Sequence, residues 1–284
     1  MTEPTFERRW RDLGRIWRDN RWLYLLAGVL IGVMLTPLVQ RLSGDAWALA
    51  GELVPVMIGV VVTVLVIEGL NRRARRESNL RRLIREMRSS DAEEGVAAAR
   101  EASDLGFLDD GSLHRASFSG GNLEKANFMH AKLKRVMLTG TNLKNANLHD
   151  VDLQNALMTG TNLSDANLVD ADLSNALLYN ANLEDADIED GSLSGANLYQ
   201  VNLKGVDISG VRFSSTTILP DSDKVVDESG KTVYPGRWTP DTDMTRYTDP
   251  NHPAFWQPEW AAARFESYAA WVDAGSPAPD DTAS

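Results

Sequence analysis

Ala146-Asn147-Leu148-His149-Asp150 is followed by Val151-Asp152-Leu153-Gln154-Asn155, and then by Ala156-Leu157-Met158-Thr159-Gly160. Each block opens with a small residue and carries a large apolar residue two places on. The register holds without a miss from Leu108 to Ile218, through Leu113, Phe118, Leu123, Phe128, Leu133, Leu138, Ile188, Leu203 and Phe213. A period of five fits neither a helix near 3.6 nor a flat strand at 2. It requires a solenoid, in which short units stack and bury their apolar faces against their neighbours. Thr139-Gly140-Thr141-Asn142-Leu143 returns as Thr159-Gly160-Thr161-Asn162-Leu163, displaced by 20, so one coil takes four blocks. Stacked strands lie about 4.8 Å apart, which predicts five to six coils in a rod ~27 Å tall.

The blocks resemble the pentapeptide-repeat family, whose units read A(N/D)LXX, as in Ala146-Asn147-Leu148, Ala166-Asn167-Leu168 and Ala171-Asp172-Leu173. The resemblance implies a right-handed, four-sided β-helix with the small residue and the Leu or Phe pointing inward. The fold class expected is therefore all-β, a pentapeptide-repeat solenoid preceded by two transmembrane α-helices and a helical connector. The resemblance spans 106–218 of the chain's 284 residues. It implies no activity, because a scaffold hosts functions without dictating them.

The absence of Cys excludes disulfides, zinc–thiolate sites and thiol nucleophiles. His114, His130, His149 and His252 are scattered, with no neighbour at metal-ligand spacing. A net charge of -11 opposes general nucleic-acid binding. No Ser/His/Asp arrangement or phosphate-cradling glycine loop stands out, so no catalytic residue, metal or cofactor is expected.

Trp22 to Val39 and Leu53 to Ile67 are uncharged runs, read as a transmembrane helical hairpin over 22–70. Arg8, Arg9, Arg11, Arg15, Arg18 and Arg21 precede the hairpin, in a basic N-terminus at 1–21. Arg72, Arg73, Arg75, Arg76, Arg81, Arg82, Arg85 and Arg88 follow it, whereas the loop from Gln40 to Glu52 has Arg41 as its one basic residue. The positive-inside rule then places both termini and the solenoid on the cytoplasmic side of a bacterial inner membrane.

Residues 71–105 read as juxtamembrane helices and an N-terminal cap. Ser90 with Glu93 reads as a capping box opening a helix from Asp91 to Leu105. Its face of Ala97, Ala98, Ala102 and Leu105 is expected to cover the open end of the solenoid. At the far end Pro220 ends the ladder, and 219–284 reads as a C-terminal cap, Trp-rich tail and disordered end. Trp256, Trp260, Phe265, Tyr268 and Trp271 mark the tail, with a helix expected from Pro258 to Ala274.

Sorting the blocks by 20 gives four outward columns. One gathers Asp109, Asp110, Asp150, Asp170, Asp187, Glu189, Asp190 and Asp207 with no Lys or Arg. Like charges stacked one coil apart repel, so this column reads as a surface for a basic protein partner or for cations, or else as a solubilising face. A second column begins with His114, Arg115, Lys132, Lys134 and Arg135, which either meet headgroups or are solvated. A third has no charge and presents Met137, Leu157, Leu177, Tyr179 and Tyr199 as a candidate interface. The Trp-rich tail, a second copy of the chain, or solvent are its possible neighbours. Gly28 and Gly32 form a small-xxx-small pair that would serve a homodimer. In the fourth, Asn122, Asn142, Asn162, Asn182 and Asn202 read as a structural amide ladder.

These features lead to a non-enzymatic protein-interaction scaffold anchored in a membrane. Two other readings stand beside it. One is a DNA mimic that binds a topoisomerase-like protein through the acidic column, by analogy with pentapeptide-repeat proteins that protect gyrase. The other is an oligomeric channel or transporter subunit with a sensory solenoid.

Overall fold

Every block of five residues makes one short bridge and one corner. The computed structural model describes residues 46–227, 229–263, 267, 270, 273 and 274, with the backbone alone for 46–56. In the block opening at Ala146, Ala146 and Leu148 are buried, and Asn147 between them faces outward. The turn then closes when Val151 N donates to Leu148 O at 3.2 Å. Its third residue, Asp150, has φ 52°, and a positive φ recurs at each fifth residue from Arg115 to Gly210. That conformation, with a hydrogen bond across four residues, marks a type II turn.

The outward residue pairs in parallel with its equivalent in the next coil: Ser117 with Met137, Asn122 with Asn142, Asn127 with Asn147, Lys132 with Asp152. Four bridges in each 20-residue coil make a four-sided β-helix. Leu148 N donates to Asn167 O at 2.7 Å and Asn167 N to Ala146 O at 3.0 Å, and this exchange repeats up the stack. Inside, Leu123, Leu148, Leu163 and Leu168 are fully buried, and Phe118 stacks on Phe128 with centroids 6.4 Å apart. Where Thr replaces Ala, its hydroxyl finds a carbonyl: Thr141 Oγ1 donates to Phe118 O at 2.9 Å, and Thr161 Oγ1 to Leu138 O at 2.7 Å. A buried hydroxyl without such a partner would destabilise the core.

The chain divides into two compact units, Met1–Glu77 and Ser78–Ser284. In the first, helix α1 (Ala46–Glu86) begins, carrying Met57, Val60, Val62, Val64, Val66, Ile67 and Leu70 as exposed apolar residues. Among the described residues no helix is long and apolar enough to cross a membrane. The uncharged run from Leu53 to Ile67 rises about 22 Å, short of a hydrocarbon core of about 30 Å. The second expected span is thus not found as a transmembrane helix, and the first, Trp22 to Val39, lies outside the described residues. So do the basic N-terminus at 1–21, the pair Gly28 and Gly32, and Phe265, Tyr268 and Trp271.

The second unit contains its own core. Leu83 and Met87 are fully buried, and helix α2 (Ala92–Asp104) adds Gly95, Ala98, Ala99 and Ala102. Its buried face differs from the one expected, because Ala97 is exposed and Leu105 is 40% exposed. The N-cap differs as well. Asp91, not Ser90, accepts Glu93 N at 2.8 Å, because the helix starts one residue later than the Ser90 box requires. Glycine is needed at 95, where a Cβ would fall 2.5 Å from Asn122 O. Just before α2, Ser89 O accepts Asn122 N at 2.7 Å and satisfies a donor on the first coil's edge.

Beyond Phe213 the ladder persists past its period. Ile218 pairs in parallel with Asn197 and antiparallel with Arg237. Strands β1 (Val225–Val226) and β2 (Thr232–Val233) form a small hairpin. Helix α3 (Thr245–Thr248) then buries Tyr247, and Thr248 O accepts Gly205 N at 2.7 Å on the last coil. Helix α4 (Glu259–Ala262) buries Trp260. The continuous helix expected over Pro258–Ala274 is interrupted by a turn at Ala263, and Ala270 and Asp273 are helical again.

Candidate functional site

The β-helix offers walls, and its outward residues occupy three positions in each block: the bridge, the first turn residue and the left-handed corner. Bridge residues lie along a face. Corner residues project where two faces meet, in the left-handed region that Gly and Asn adopt most easily.

The amide column consists of bridge residues. Asn142 Nδ2 donates to Asn122 Oδ1 at 3.0 Å, Asn162 Nδ2 to Asn142 Oδ1 at 3.3 Å, and Asn202 Nδ2 to Asn182 Oδ1 at 3.0 Å. Each oxygen also accepts a backbone N–H two residues on, as Asn142 does from Lys144 at 3.1 Å. These side chains are occupied in holding the stack.

The acidic column splits among these positions. Asp187 and Asp207 are bridge residues paired one coil apart. Their carboxylates accept Glu189 N at 3.1 Å and Ser209 N at 2.9 Å. Hydrogen bonds from the Ser209 side chain and backbone hold the Asp207 carboxyl below the usual carboxylate range. Asp150, Asp170 and Asp190 are corner residues with φ of 52°, 59° and 58°. They form a row at an edge between two faces, not a ladder down the middle of one. His130 precedes them in that row, with Nδ1 2.9 Å from Asp150 Oδ2. Asp109 and Asp110 stand apart, because block 126–130 between them and Asp150 has no carboxylate. Asp110 Oδ1 accepts Ser112 N at 2.8 Å. The carboxylates that do gather are Asp170, Asp187, Glu189, Asp190 and Asp207, at the far end of the rod.

On the uncharged face Met137, Leu157 and Leu177 are successive bridge residues, 36%, 39% and 43% exposed. Tyr179 stacks on Tyr199 with centroids 5.3 Å apart and planes at 4°, and Tyr199 meets Tyr234 at 4.7 Å. Burial pushes the Tyr199 phenol up from its ordinary pKa. Tyr234 thus packs on this stripe at Tyr199. Trp238 stacks on Phe213 at 5.6 Å, and Trp260 Nε1 donates to the carbonyl of Gln200, the corner residue beside Tyr199, at 3.4 Å.

Two sets of residues escape the periodic reading. Asp221 ties the cap, accepting the Tyr247 hydroxyl at 2.6 Å and Arg246 Nη2 at 2.7 Å. Burial, with the Asp221 carboxylate beside it, pushes the Tyr247 phenol well above its ordinary pKa. No sequence period links these positions. The left-handed corners did leave a signal, the Gly and Asn at positions such as Gly120, Gly140, Gly160, Asn155 and Asn175.

A cleft of about 350 Å³ is lined by Val96, Arg100, Ser103 and Asp104 of α2 with Lys125 and Asn127 of the first coils. Among the described residues no three His, Asp or Glu side chains could hold a metal ion.

With this geometry in place, comparison with known proteins is direct. The family model described as "Pentapeptide repeat region" matches 108–183, and "Pentapeptide repeats (8 copies)" matches 181–217. A pentapeptide repeat protein from the cyanobacterium Cyanothece 51142 is 30% identical over 36% of this chain and 86% of its own, with a TM-score of 0.20. One from the Arabidopsis thaliana thylakoid lumen is 29% identical over 36% and 68%, with a TM-score of 0.20. A third, from Nostoc Pcc 7120, is 25% identical over 44% and 81%, with a TM-score of 0.28. No curated protein matches the chain. The chain belongs to the pentapeptide-repeat family. Members of this family are typically non-enzymatic.

Proposed function

We propose that this protein is a non-enzymatic interaction scaffold, held at the cytoplasmic face of a bacterial inner membrane by its N-terminal helical segment and recruiting a basic protein partner. The observation that carries the scaffold is the split between inward and outward positions. Inward residues are bound to small or apolar identities, while the outward ones carry segregated charge that the fold does not require. Asp170, Asp187, Glu189, Asp190 and Asp207 make a continuous exposed acidic end, suited to attracting a positively charged surface. The membrane half of the reading is supported by the arginine asymmetry of the sequence. It is supported also by the apolar helix surface at Met57, Val60, Val66 and Leu70, which is 53–61% exposed and which a bilayer would cover.

Proximity labelling from a ligase fused after Ser284 tests both halves in cells. A cytoplasmic labelling pattern is expected, with one dominant neighbour that is lost when Asp187, Asp190 and Asp207 are changed together to Asn. Periplasmic labelling overturns the membrane topology. A neighbour set indifferent to the triple change overturns recruitment by the acidic end.

A further inference from the structure

Charge is segregated along the rod as well as around it. Between 111 and 149 six Lys and Arg (Arg115, Lys125, Lys132, Lys134, Arg135 and Lys144) face Glu124 alone, a net of +5. Between 150 and 218 eleven Asp and Glu face Lys204 and Arg212, a net of -9. Of the early cations, Lys125 pairs with Glu124 at 3.1 Å, Lys134 with Asp152 at 3.2 Å, and Lys144 with Asp165 at 3.7 Å. Arg115, Lys132 and Arg135 are exposed on one wall, and none of the three has an ion-pair partner among the described residues.

Two of them sit where the fold would prefer something else. Arg115 and Arg135 are corner residues with φ of 61° and 58°, one coil apart in the same row. That row continues with Asn155, Asn175 and Gly195, residues suited to the left-handed region. Two arginines stacked about 4.8 Å apart also repel each other. An external anion lying against both arginines would offset that like-charge repulsion.

We propose that Arg115, Lys132 and Arg135 form a docking patch for the headgroups of anionic phospholipids, so that the first two coils bind the membrane surface. This deepens the membrane reading above and rests on it. The patch lies in the same chain as the exposed apolar residues of α1, 45 residues after Leu70, so it is covalently tethered to the segment the membrane reading assigns to the bilayer. A net charge of -11 opposes a long polyanion such as nucleic acid. A planar anionic leaflet can instead meet the basic end while the acidic end stays in water. Each cation near such a leaflet is worth roughly five-fold in binding, so the three together are worth on the order of 100-fold.

The test uses the full chain in nanodiscs carrying a headgroup-linked quencher. The chain has no Cys, so a single dye can be placed at Ser112→Cys in the first coil or at Ser194→Cys on the same wall near the far end. With anionic lipid present, the dye at 112 is quenched and the dye at 194 is not. In neutral discs, at about 0.5 M salt, or in the Arg115→Asn/Lys132→Gln/Arg135→Asn variant, quenching at 112 falls to background. Asn keeps the left-handed corners, so a fold defect does not imitate the result, and an unchanged melting point verifies this. Quenching at 112 that is equal in neutral and anionic discs overturns the docking patch and leaves the anchor standing. A chain that cannot be incorporated into discs overturns the anchor and the docking together. A patch that retains RNA while ignoring anionic discs overturns the lipid assignment.

Discussion

Tyr247 donates its hydroxyl to Asp221 Oδ1 at 2.6 Å, joining two parts of the C-terminal cap that are 26 residues apart. Arg246 takes the other carboxylate oxygen at 2.7 Å, so a single carboxylate fastens α3 to the chain just beyond Pro220. Asp221→Asn weakens the charge-assisted bonds, and Asp221→Ala leaves Arg246 and a buried phenol without their acceptor. Asp221→Ala should cost about 2–4 kcal/mol, and the Asn variant less. Chemical denaturation followed by Trp fluorescence reads both.

The raised pKa of the Tyr247 phenol sets a sign at alkaline pH. The folded state keeps the proton after the unfolded chain releases it near pH 10. Stability from this group is therefore complete below about pH 10 and declines as pH rises above it. Melting points measured from pH 8 to 11 should be flat and then fall, and Tyr247→Phe should lessen the fall. An identical alkaline slope in the Phe variant would remove Tyr247 from the account.

Core positions are tested by truncation. Leu148→Ala or Leu168→Ala should cost ~2–5 kcal/mol, because neighbouring coils are hydrogen-bonded and cannot collapse into the gap. Leu148→Asp should be worse, since it buries a charge without a partner. Variants that melt with the parent would refute the inward assignment.

Corners respond to backbone conformation more than to charge. Asn180 is a corner residue with φ 58°, 1% exposed, and its side-chain amide has no hydrogen-bond partner among the described residues. Asn180→Gly should stabilise by ~1–2 kcal/mol, since it removes an unsatisfied buried amide and suits the left-handed region. Asp170→Val should cost ~1–2 kcal/mol, because a β-branched residue resists that region. Asp150, Asp170 and Asp190 changed together to Asn should leave the melt unchanged or slightly higher, with weaker partner capture at low salt.

The N-terminal cap is tight at one point. Gly95→Ala should destabilise by ~1–3 kcal/mol, since the new methyl meets the Asn122 carbonyl of the first coil. Ala97→Ser, on the exposed side of α2, should fall within about 0.5 kcal/mol of the parent.

Sequence reading succeeded where one cause repeats. The inward register followed from Leu and Phe recurring at one interval, and the amide ladder from Asn recurring at 20. It placed Asp150, Asp170 and Asp190 in the correct row but on a face, because turn geometry, not side-chain period, decides that they stand at corners. The face of α2 is legible only in part: Ala98 and Ala102 are buried as expected, but Ala97 and Leu105 are not, since Ala at 97, 98 and 99 gives no hydrophobic contrast to orient it. The cap was opaque for a different reason. Asp221, Arg246 and Tyr247 meet through a chain that folds back once, and a contact made once leaves no period.

The coil of four bridges has a consequence for how such a chain changes length. Residues 139–143 and 159–163 are the same five residues one coil apart, so excising 139–158 rejoins identical sequence and leaves each later bridge with an equivalent partner. Each such duplication or loss moves the two ends by one strand spacing of about 4.8 Å, without disturbing either cap. The distance between its caps is thus a digital quantity, inherited in whole coils, and selection can adjust reach without redesigning what sits at either end.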